Sequence, residues 1–168
     1  MIANYIIRKI IKRSNCILDV GCGKGVWEAD TNYCFGKKFT GIDLLENYPA
    51  GYTKYIQHNL ERGLPRLKEK YDFVIAKDIL EHLHTPLELL KEIHALTIQD
   101  GILVVKVPDY RSKNAWGDYT HIRPYTKGAI IQIVEDAGFE VQKVVRLGGY
   151  FLPNLFTQAF SWLVVARR

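Results

Sequence analysis

The chain has 168 residues, enough for one domain and too few for two. Hydrophobic residues make up 48% and can fill a single packed core, and charged residues at 24% are ordinary for a soluble protein. The net charge of +5, with a pI near 9.0, suits anionic partners such as nucleic acid, acidic sugars or a membrane surface, and equally suits plain solubility.

The first segment, residues 1–14, reads as an amphipathic helix over 2–13. Ile2, Ile6 and Ile10 share one face, with Ile7 and Ile11 beside them and Arg8, Lys9, Lys12 and Arg13 around them. Charges interrupt it too early for a secretory signal or a membrane span. Its expected use is packing on the domain's own sheet, with peripheral contact to an anionic membrane as the alternative. Strand-like runs follow at Cys16–Val20, Lys38–Ile42, Lys54–Gln57, Asp72–Ala76, Ile102–Val107, Glu140–Leu147 and Ser161–Ala166. Helical patterns fall at 25–33, 86–97 and 126–137, where Ile130, Ile131, Ile133, Val134 and Ala137 form a stripe ended by Gly138. Thr85, Pro86 and Glu88 form a predicted N-terminal cap for the middle helix. Strands alternating with helices imply a mainly parallel sheet covered on both faces. Leu147 to Ala166 carries no charge and has the length of a membrane span, but Gly148, Gly149, Pro153, Asn154 and Gln158 break it. FSWLVVARR is therefore read as a last buried strand. No repeat or linker divides the chain, so residues 1–168 are expected to form a single domain.

The most informative segment is ILDVGCGKG at 17–25, followed by Asp43 in FTGIDL. A buried run ends in Asp19 and three glycines at alternate positions, Gly21, Gly23 and Gly25; a second run ends in Asp43. Glycines let the backbone turn sharply and approach a ligand closely. A carboxylate at the end of the next strand can accept hydrogen bonds from ribose hydroxyls. The spacing is not the dinucleotide fingerprint G-x-G-x-x-G, because Val26 stands where its third glycine would be, nor is it the phosphate loop G-x-x-x-x-G-K-[ST].

DVGCGKG resembles the glycine-rich motif of the class I S-adenosylmethionine (SAM)-dependent methyltransferases. DILEHL at 78–83 resembles their subgroup that includes ubiquinone-pathway and sugar-modifying enzymes. The resemblance covers nearly the whole chain. It implies a Rossmann-like, doubly wound α/β fold with seven strands, mostly parallel, the last antiparallel. It implies SAM as cofactor and S-adenosylhomocysteine as product, bound by Asp19, Gly21, Cys22, Gly23, Gly25, Asp43, Leu44, Asn59, Leu60 and Lys77. Asp19 and the loop backbone would face the methionine portion and Asp43 the ribose. Asn59 stands where the family often has an aspartate beside the adenine amino group; alternatively Asn59 opens a turn.

Methyl transfer needs a nucleophile held in line with the S–CH₃ bond, and such positioning is worth about 7–11 kcal/mol. A hydroxyl acceptor also needs a base, and histidine suits that near neutral pH. The candidates are His121 and His82, with His84 behind them. Asp118, three residues before His121, is placed to orient it. The loop VPDYRSKNAWGDYTHIRPYT is polar, aromatic and long, the marks of a functional connection. DYTHIRPYT resembles a segment of sugar- and polysaccharide-associated methyltransferases. Arg123 is a candidate clamp for an anionic group, and Trp116, Tyr119 and Tyr125 are candidate stacking platforms. The alternatives are structural: Asp118 and His121 bracing the loop, Glu81 binding backbone amides, His82 packing under the cofactor. Cys16, Cys22 and Cys34 lack C-x-x-C spacing, so no metal is expected, and their odd number suits a reducing, cytoplasmic setting. No compact His–carboxylate spacing marks a metal site either.

The expected activity is methyl transfer from SAM to a small-molecule or carbohydrate acceptor at oxygen. RNA methylation is the alternative enzyme, and a non-catalytic SAM-binding module is the other reading. Against a base-methylating enzyme, the fourth strand ends in AKDI and not [DN]-P-P-[YF], and the basic residues form no aromatic-laced stripe.

Overall fold

The computed structural model describes residues 2–25, 36–46, 51–148 and 159–168. The expected helix at 25–33 and Cys34 lie outside the described residues, Gly25 excepted. The elements are α1 (Ile2–Ile11), β1 (Cys16–Val20), β2 (Lys38–Asp43), β3 (Lys54–Gln57), β4 (Tyr71–Lys77), α2 (Pro86–Leu96), β5 (Thr97–Pro108), α3 (Lys113–Gly117), α4 (Lys127–Asp136), β6 (Glu140–Leu147) and β7 (Ser161–Arg167), with 3₁₀ turns at Leu60–Arg62 and Leu80–His82.

One seven-stranded sheet runs in the order β3-β2-β1-β4-β5-β7-β6. The pairs from β3 through β5 are parallel, and β7 is antiparallel to both β5 and β6. The chain therefore winds outward from β1 to β3, then restarts at β4 on the other side of β1. The reversal of order falls between β1 and β4, and the crevice beyond their carboxyl ends is where such sheets take ligands.

Period-two alternation splits the strand residues between two cores. Leu18, Val20, Val74, Ala76, Leu103 and Val105 face α2 and α4, meeting Leu90, Ile93, Ile130 and Val134. Ile17, Phe73, Ile75, Val104 and Leu163 face the other way and meet Ala3, Ile7 and Ile11 of α1. The amphipathic N-terminal segment packs on the sheet, but through Ala3, Ile7 and Ile11 and not through the expected face of Ile2, Ile6 and Ile10: Ile6 and Ile10 are half-buried, and Ile2 and Tyr5 are exposed. β7 sits between β5 and β6 with Trp162, Leu163, Val164 and Ala166 buried, as read from FSWLVVARR. No helix among the described residues is long and apolar enough to cross a membrane.

Three details differ from the sequence reading. β5 begins at Thr97, well before Ile102, and its pairing with β4 shifts register between Tyr71 and Phe73. A short helix, α3, interrupts the loop after β5, capped by Ser112, whose Oγ accepts from Asn114 N. Thr85 stands at the N-cap of α2 ahead of Pro86, but its side chain makes no capping hydrogen bond.

Candidate active site

The glycine turn is shaped by its neighbours. Gly21 has φ +73°, and a Cβ there would lie 2.9 Å from the Ile79 side chain, so only glycine fits both the turn and the space. The amides of Gly21 and Cys22 both donate to Ile42 O, at 2.9 and 3.1 Å. Gly23 N donates to Asp43 Oδ2 at 2.7 Å, and Leu45 N donates to Asp43 Oδ1 at 3.1 Å. The turn after β1 and the end of β2 are thereby one unit. Asp19 is buried, and its Oδ2 accepts from Tyr52 OH at 2.6 Å. Tyr52 in turn closes over Gly41, where a Cβ would come within 2.8 Å of its ring.

A cavity of about 160 Å³ opens at the switch point between β1 and β4, lined by Asp19, Gly21, Cys22, Gly23, Lys24, Lys77 and Asp78. The sequence candidates Asp19, Gly21, Cys22, Gly23 and Lys77 thus meet in one place. Asp43 stands behind Gly23, and Gly25 completes the turn by donating to Cys22 O at 3.0 Å. Leu44 follows β2 and is 64% exposed. Asn59 and Leu60 stand just past Gln57, which pairs with Asp43. The Asn59 side chain accepts from Glu61 N at 3.0 Å and caps the 3₁₀ turn that buries Leu60. That is the turn-opening alternative among the sequence readings. Burial pushes the Cys22 thiol up to about 12, with the Asp19 and Asp43 charges adding to it, surroundings that disfavour the thiolate.

A second, larger cavity of about 420 Å³ is lined by Asp78, Glu81, Lys106, Pro108, Asn114, Gly117, Asp118, His121 and Ser161. Asp78 lines both cavities. It ends β4 in the left-handed region at φ 53°, a conformation that Asp tolerates better than most residues. Lys106 of β5 clasps it, Nζ donating to Oδ1 at 2.6 Å and Oδ2 at 2.7 Å, while Lys77 Nζ lies 3.6 Å from Oδ2. Sequence reasoning missed Lys106. A lone charge inside the apolar run ILVVKVP was the available signal.

Glu81 is 1% exposed, and its Oε2 has no hydrogen-bond partner among the described residues. Burial pushes its carboxyl up to about 8, outweighing the bond to its own backbone amide. Its backbone carbonyl accepts from Ile122 N at 2.8 Å and Arg123 N at 3.3 Å, which fastens the loop after α3 against the turn after β4. Of the backbone amides expected to bind the Glu81 side chain, only its own does so; the amides of the returning loop go to its main-chain carbonyl instead.

His121 lines the larger cavity, and its Nδ1 lies 3.2 Å from Ala115 O. A carbonyl only accepts, so Nδ1 donates, and in the neutral ring Nε2 then carries the lone pair. Asp118 is 3.9 Å from His121 Nε2, but its short contacts go to Thr120, which donates from Oγ1 at 2.6 Å and from N at 2.9 Å. Thr120 Oγ1 lies 3.0 Å from His82 Nδ1, and Thr120 O lies 3.3 Å from the same nitrogen. Asp118 therefore reaches His82 through Thr120. The His82 and His121 rings pack edge to face with centroids 4.6 Å apart.

The remaining acceptor candidates lie elsewhere. Arg123 Nη2 donates to His84 O at 2.9 Å, and His84 Nδ1 pairs with Glu61 at 3.0 Å. Tyr125 is a correction to the sequence reading: it is buried in the core facing α2 and α4, its OH donating to Leu80 O at 3.4 Å, and offers no face to a ligand. Trp116 and Tyr119 are exposed, Trp116 donating to Tyr110 O at 2.7 Å.

A doubly wound sheet with an acid-flanked glycine turn at its switch point, and a polar cavity alongside, defines a nucleoside-binding α/β domain. The chain belongs to a methyltransferase family: the family model described as "Methyltransferase domain" matches residues 4–144. Among relatives, the ubiquinone biosynthesis O-methyltransferase of Haemophilus ducreyi is 34% identical over 104 residues, covering 52% of this chain and 42% of that protein. Sphingolipid C9-methyltransferase 1 of Gibberella zeae is 21% identical over 181 residues, covering 91% of this chain and 35% of that protein. The chain thus spans less than half the length of these curated relatives. Among solved structures, the 1,6-didemethyltoxoflavin-N1-methyltransferase of Burkholderia thailandensis, bound to 1,6-didemethyltoxoflavin and S-adenosylhomocysteine, superposes with a TM-score of 0.74 at 20% identity, covering 99% of this chain and 76% of that one. A SAM-dependent methyltransferase from Archaeoglobus fulgidus gives 0.71 at 19%, covering 99% and 90%. These likenesses show the fold.

Proposed function

We propose that the chain binds SAM across the glycine turn and Asp43 and transfers its methyl group to an oxygen of a small-molecule or carbohydrate acceptor held in the larger cavity. In this reaction the S–CH₃ bond breaks with its electron pair returning to sulfur, a C–O bond forms, and the acceptor hydroxyl loses its proton. The observation that carries the reading is Asp78, which forms a wall of both cavities, so that a donor in one and an acceptor in the other would meet beside it. The sulfonium is positively charged, and the buried Asp19 supplies negative charge beside its place, while the charge of Asp78 is offset by Lys106 and Lys77. Leu44, Asn59 and Leu60 would border the adenosine end, and Lys77 would close the cavity beside Asp78. His121 would contact the reacting oxygen and assist loss of its proton, with His82 and Asp118 as its support. The three scattered cysteines favour a reducing, cytoplasmic setting.

Calorimetric titration with SAM and with S-adenosylhomocysteine tests the first half. One site for each is expected; no binding of either, with NAD or ATP binding instead, would end the reading. Release of S-adenosylhomocysteine in the presence of hydroxylated acceptors tests the second half. Binding without turnover on any acceptor would leave a SAM-binding module.

A further inference from the structure

Glu81 and His121 line the larger cavity, and His82 packs edge to face on His121 behind it; the three have donor atoms and no established use together. Glu81, His82 and His121 each offer one ligand atom within 4.8 Å of the other two. We propose that Glu81, His82 and His121 form a site for a divalent transition-metal ion that opens on the larger cavity and takes the acceptor's oxygen as a further ligand. The site deepens the methyl-transfer reading, because it rests on that cavity being where the acceptor sits.

The donor set suits such an ion. Two imidazoles and one carboxylate favour zinc, iron, manganese, cobalt or nickel over calcium or magnesium, which prefer all-oxygen surroundings. Three protein ligands leave at least one position open, the arrangement of catalytic and not structural zinc sites. Both rings have their Nδ1 engaged with oxygen: His121 with Ala115 O, His82 with Thr120 O and Oγ1. The Thr120 hydroxyl proton is committed to Asp118 at 2.6 Å, so His82 Nδ1 donates. In the neutral tautomer this hydrogen bonding selects, each Nε2 carries the lone pair a metal ion would take, and the second nitrogen of each ring is held by an oxygen, as metal-binding histidines usually are.

Glu81 gives the independent evidence. A carboxyl group 1% exposed, with Oε2 lacking a partner among the described residues, is costly unless something pairs with it. A cation between it and the two rings removes that cost. Bond lengths of about 2.0–2.2 Å put tetrahedral ligand atoms about 3.4 Å apart, so the donors need to close by little more than an ångström, within reach of side-chain rotation. The backbone bonds from Ile122 and Arg123 to Glu81 O keep the His121 loop against the Glu81 turn. Nearby charge is compatible, since Asp118 lies beside His121 and Lys106 is occupied by Asp78. An acceptor hydroxyl on such an ion would give up its proton to solvent near neutral pH, which is the assistance methyl transfer to oxygen requires; with the ion bound, His121 serves that step as a ligand and not as the base.

The experiment uses the purified, chelator-treated chain. Zn²⁺ is titrated by calorimetry and Co²⁺ by visible absorption, alongside S-adenosylhomocysteine binding. The expected result is one ion per chain, with affinity reduced at least tenfold in Glu81→Gln and in His121→Asn, and S-adenosylhomocysteine binding retained in both. Should Glu81→Gln fail to fold, His121→Asn and His82→Asn carry the same reading. Failure of both ions to bind at one equivalent, or binding that survives loss of both histidines, overturns the site. Ion binding without S-adenosylhomocysteine binding would instead refute the cofactor reading and leave the metal site standing.

Discussion

Gly23 and Asp43 are tied by a 2.7 Å bond from backbone amide to carboxylate, so the residue expected to hold a ribose also fixes the turn that frames the smaller cavity. Each carboxylate oxygen still has a lone pair for a ligand hydroxyl. Asp43→Ala should therefore weaken SAM by about 1–3 kcal/mol through the lost ribose contact. Calorimetry reads this directly. Unchanged affinity would mean that the ligand lies elsewhere. Asp43→Asn separates the two roles: its side-chain oxygen can still accept from Gly23 N, so a smaller loss is expected.

Lys106 and Asp78 make a different kind of pair. Asp78 side-chain exposure of 38% leaves it partly solvated, so breaking the clasp with Lys106→Met should cost only about 1 kcal/mol in urea denaturation. Its effect on turnover should be larger, because Asp78 forms the wall between the two cavities and its carboxylate would be free to swing. Equal turnover with lowered stability would show that the clasp is purely structural.

His121→Ala should leave S-adenosylhomocysteine affinity intact and lower turnover by about 10²–10⁴-fold, the usual worth of a group that handles a reacting proton. Asp118→Asn should act more weakly, since Asp118 contacts Thr120 at 2.6 Å and His121 at 3.9 Å. Initial rates at saturating SAM separate the two. Equal rates for His121→Ala and the parent chain would reduce His121 to a brace for its loop.

The sheet and the glycine turn were legible in the sequence because their signals are local. Apolar runs of strand length, Gly21 and Gly23 after Asp19, and Asp43 at the end of the next run each report on a few neighbouring positions. The acceptor side was only half legible. His121 and Asp118 stood out in a polar loop, but the link that runs from Asp118 through Thr120 to His82 joins two loops and has no spacing signature. Tyr125 was misread because an aromatic in a polar loop looks exposed, whereas its position just before α4 turns it into the core. Glu81 could not be assigned from DILEHL alone, since its burial comes from the loop that returns much later in the chain.

Asp109 gives the pH dependence. It ends the buried stretch after β5, fully enclosed, with Arg111 Nη2 at 3.0 Å and Arg146 Nε at 3.2 Å. Burial alone would raise its pKa, but hydrogen bonds from the Arg111 side chain and backbone, and the charges of Arg111 and Arg146, outweigh it and hold the carboxyl below its usual range. With the folded pKa below the unfolded one, the unfolded chain binds more protons in the window between them, so stability rises with pH there. The contribution is complete above the unfolded value of about 3.9 and is lost as pH falls through the folded one. Asp109→Asn should therefore lower the urea midpoint at pH 6–7, and the gap to the parent chain should narrow once pH falls below about 4. A gap constant with pH would assign the loss to packing and not to charge.

Gly41 and Tyr52 offer the sharpest test of what holds Asp19 in the smaller cavity. A Cβ on Gly41 would lie 2.8 Å from the Tyr52 ring and 2.9 Å from Cys22 Sγ, contacts that real Cβ atoms do not make. Gly41→Ala must displace the ring, and with it the hydroxyl that donates to Asp19 at 2.6 Å. Tyr52→Phe removes that hydroxyl while leaving the ring in place. A hydrogen bond to a charged group is worth about 1.5–3 kcal/mol, so Tyr52→Phe should show a loss of that order in denaturation. Gly41→Ala should lose more, because overpacking adds about 1–3 kcal/mol and shifts the glycine turn through Cys22. Both should weaken SAM, Gly41→Ala the more strongly, by calorimetry at matched temperature. If Gly41→Ala binds SAM as the parent does, the ring can yield without disturbing Asp19, and Tyr52 is no part of what shapes the cavity.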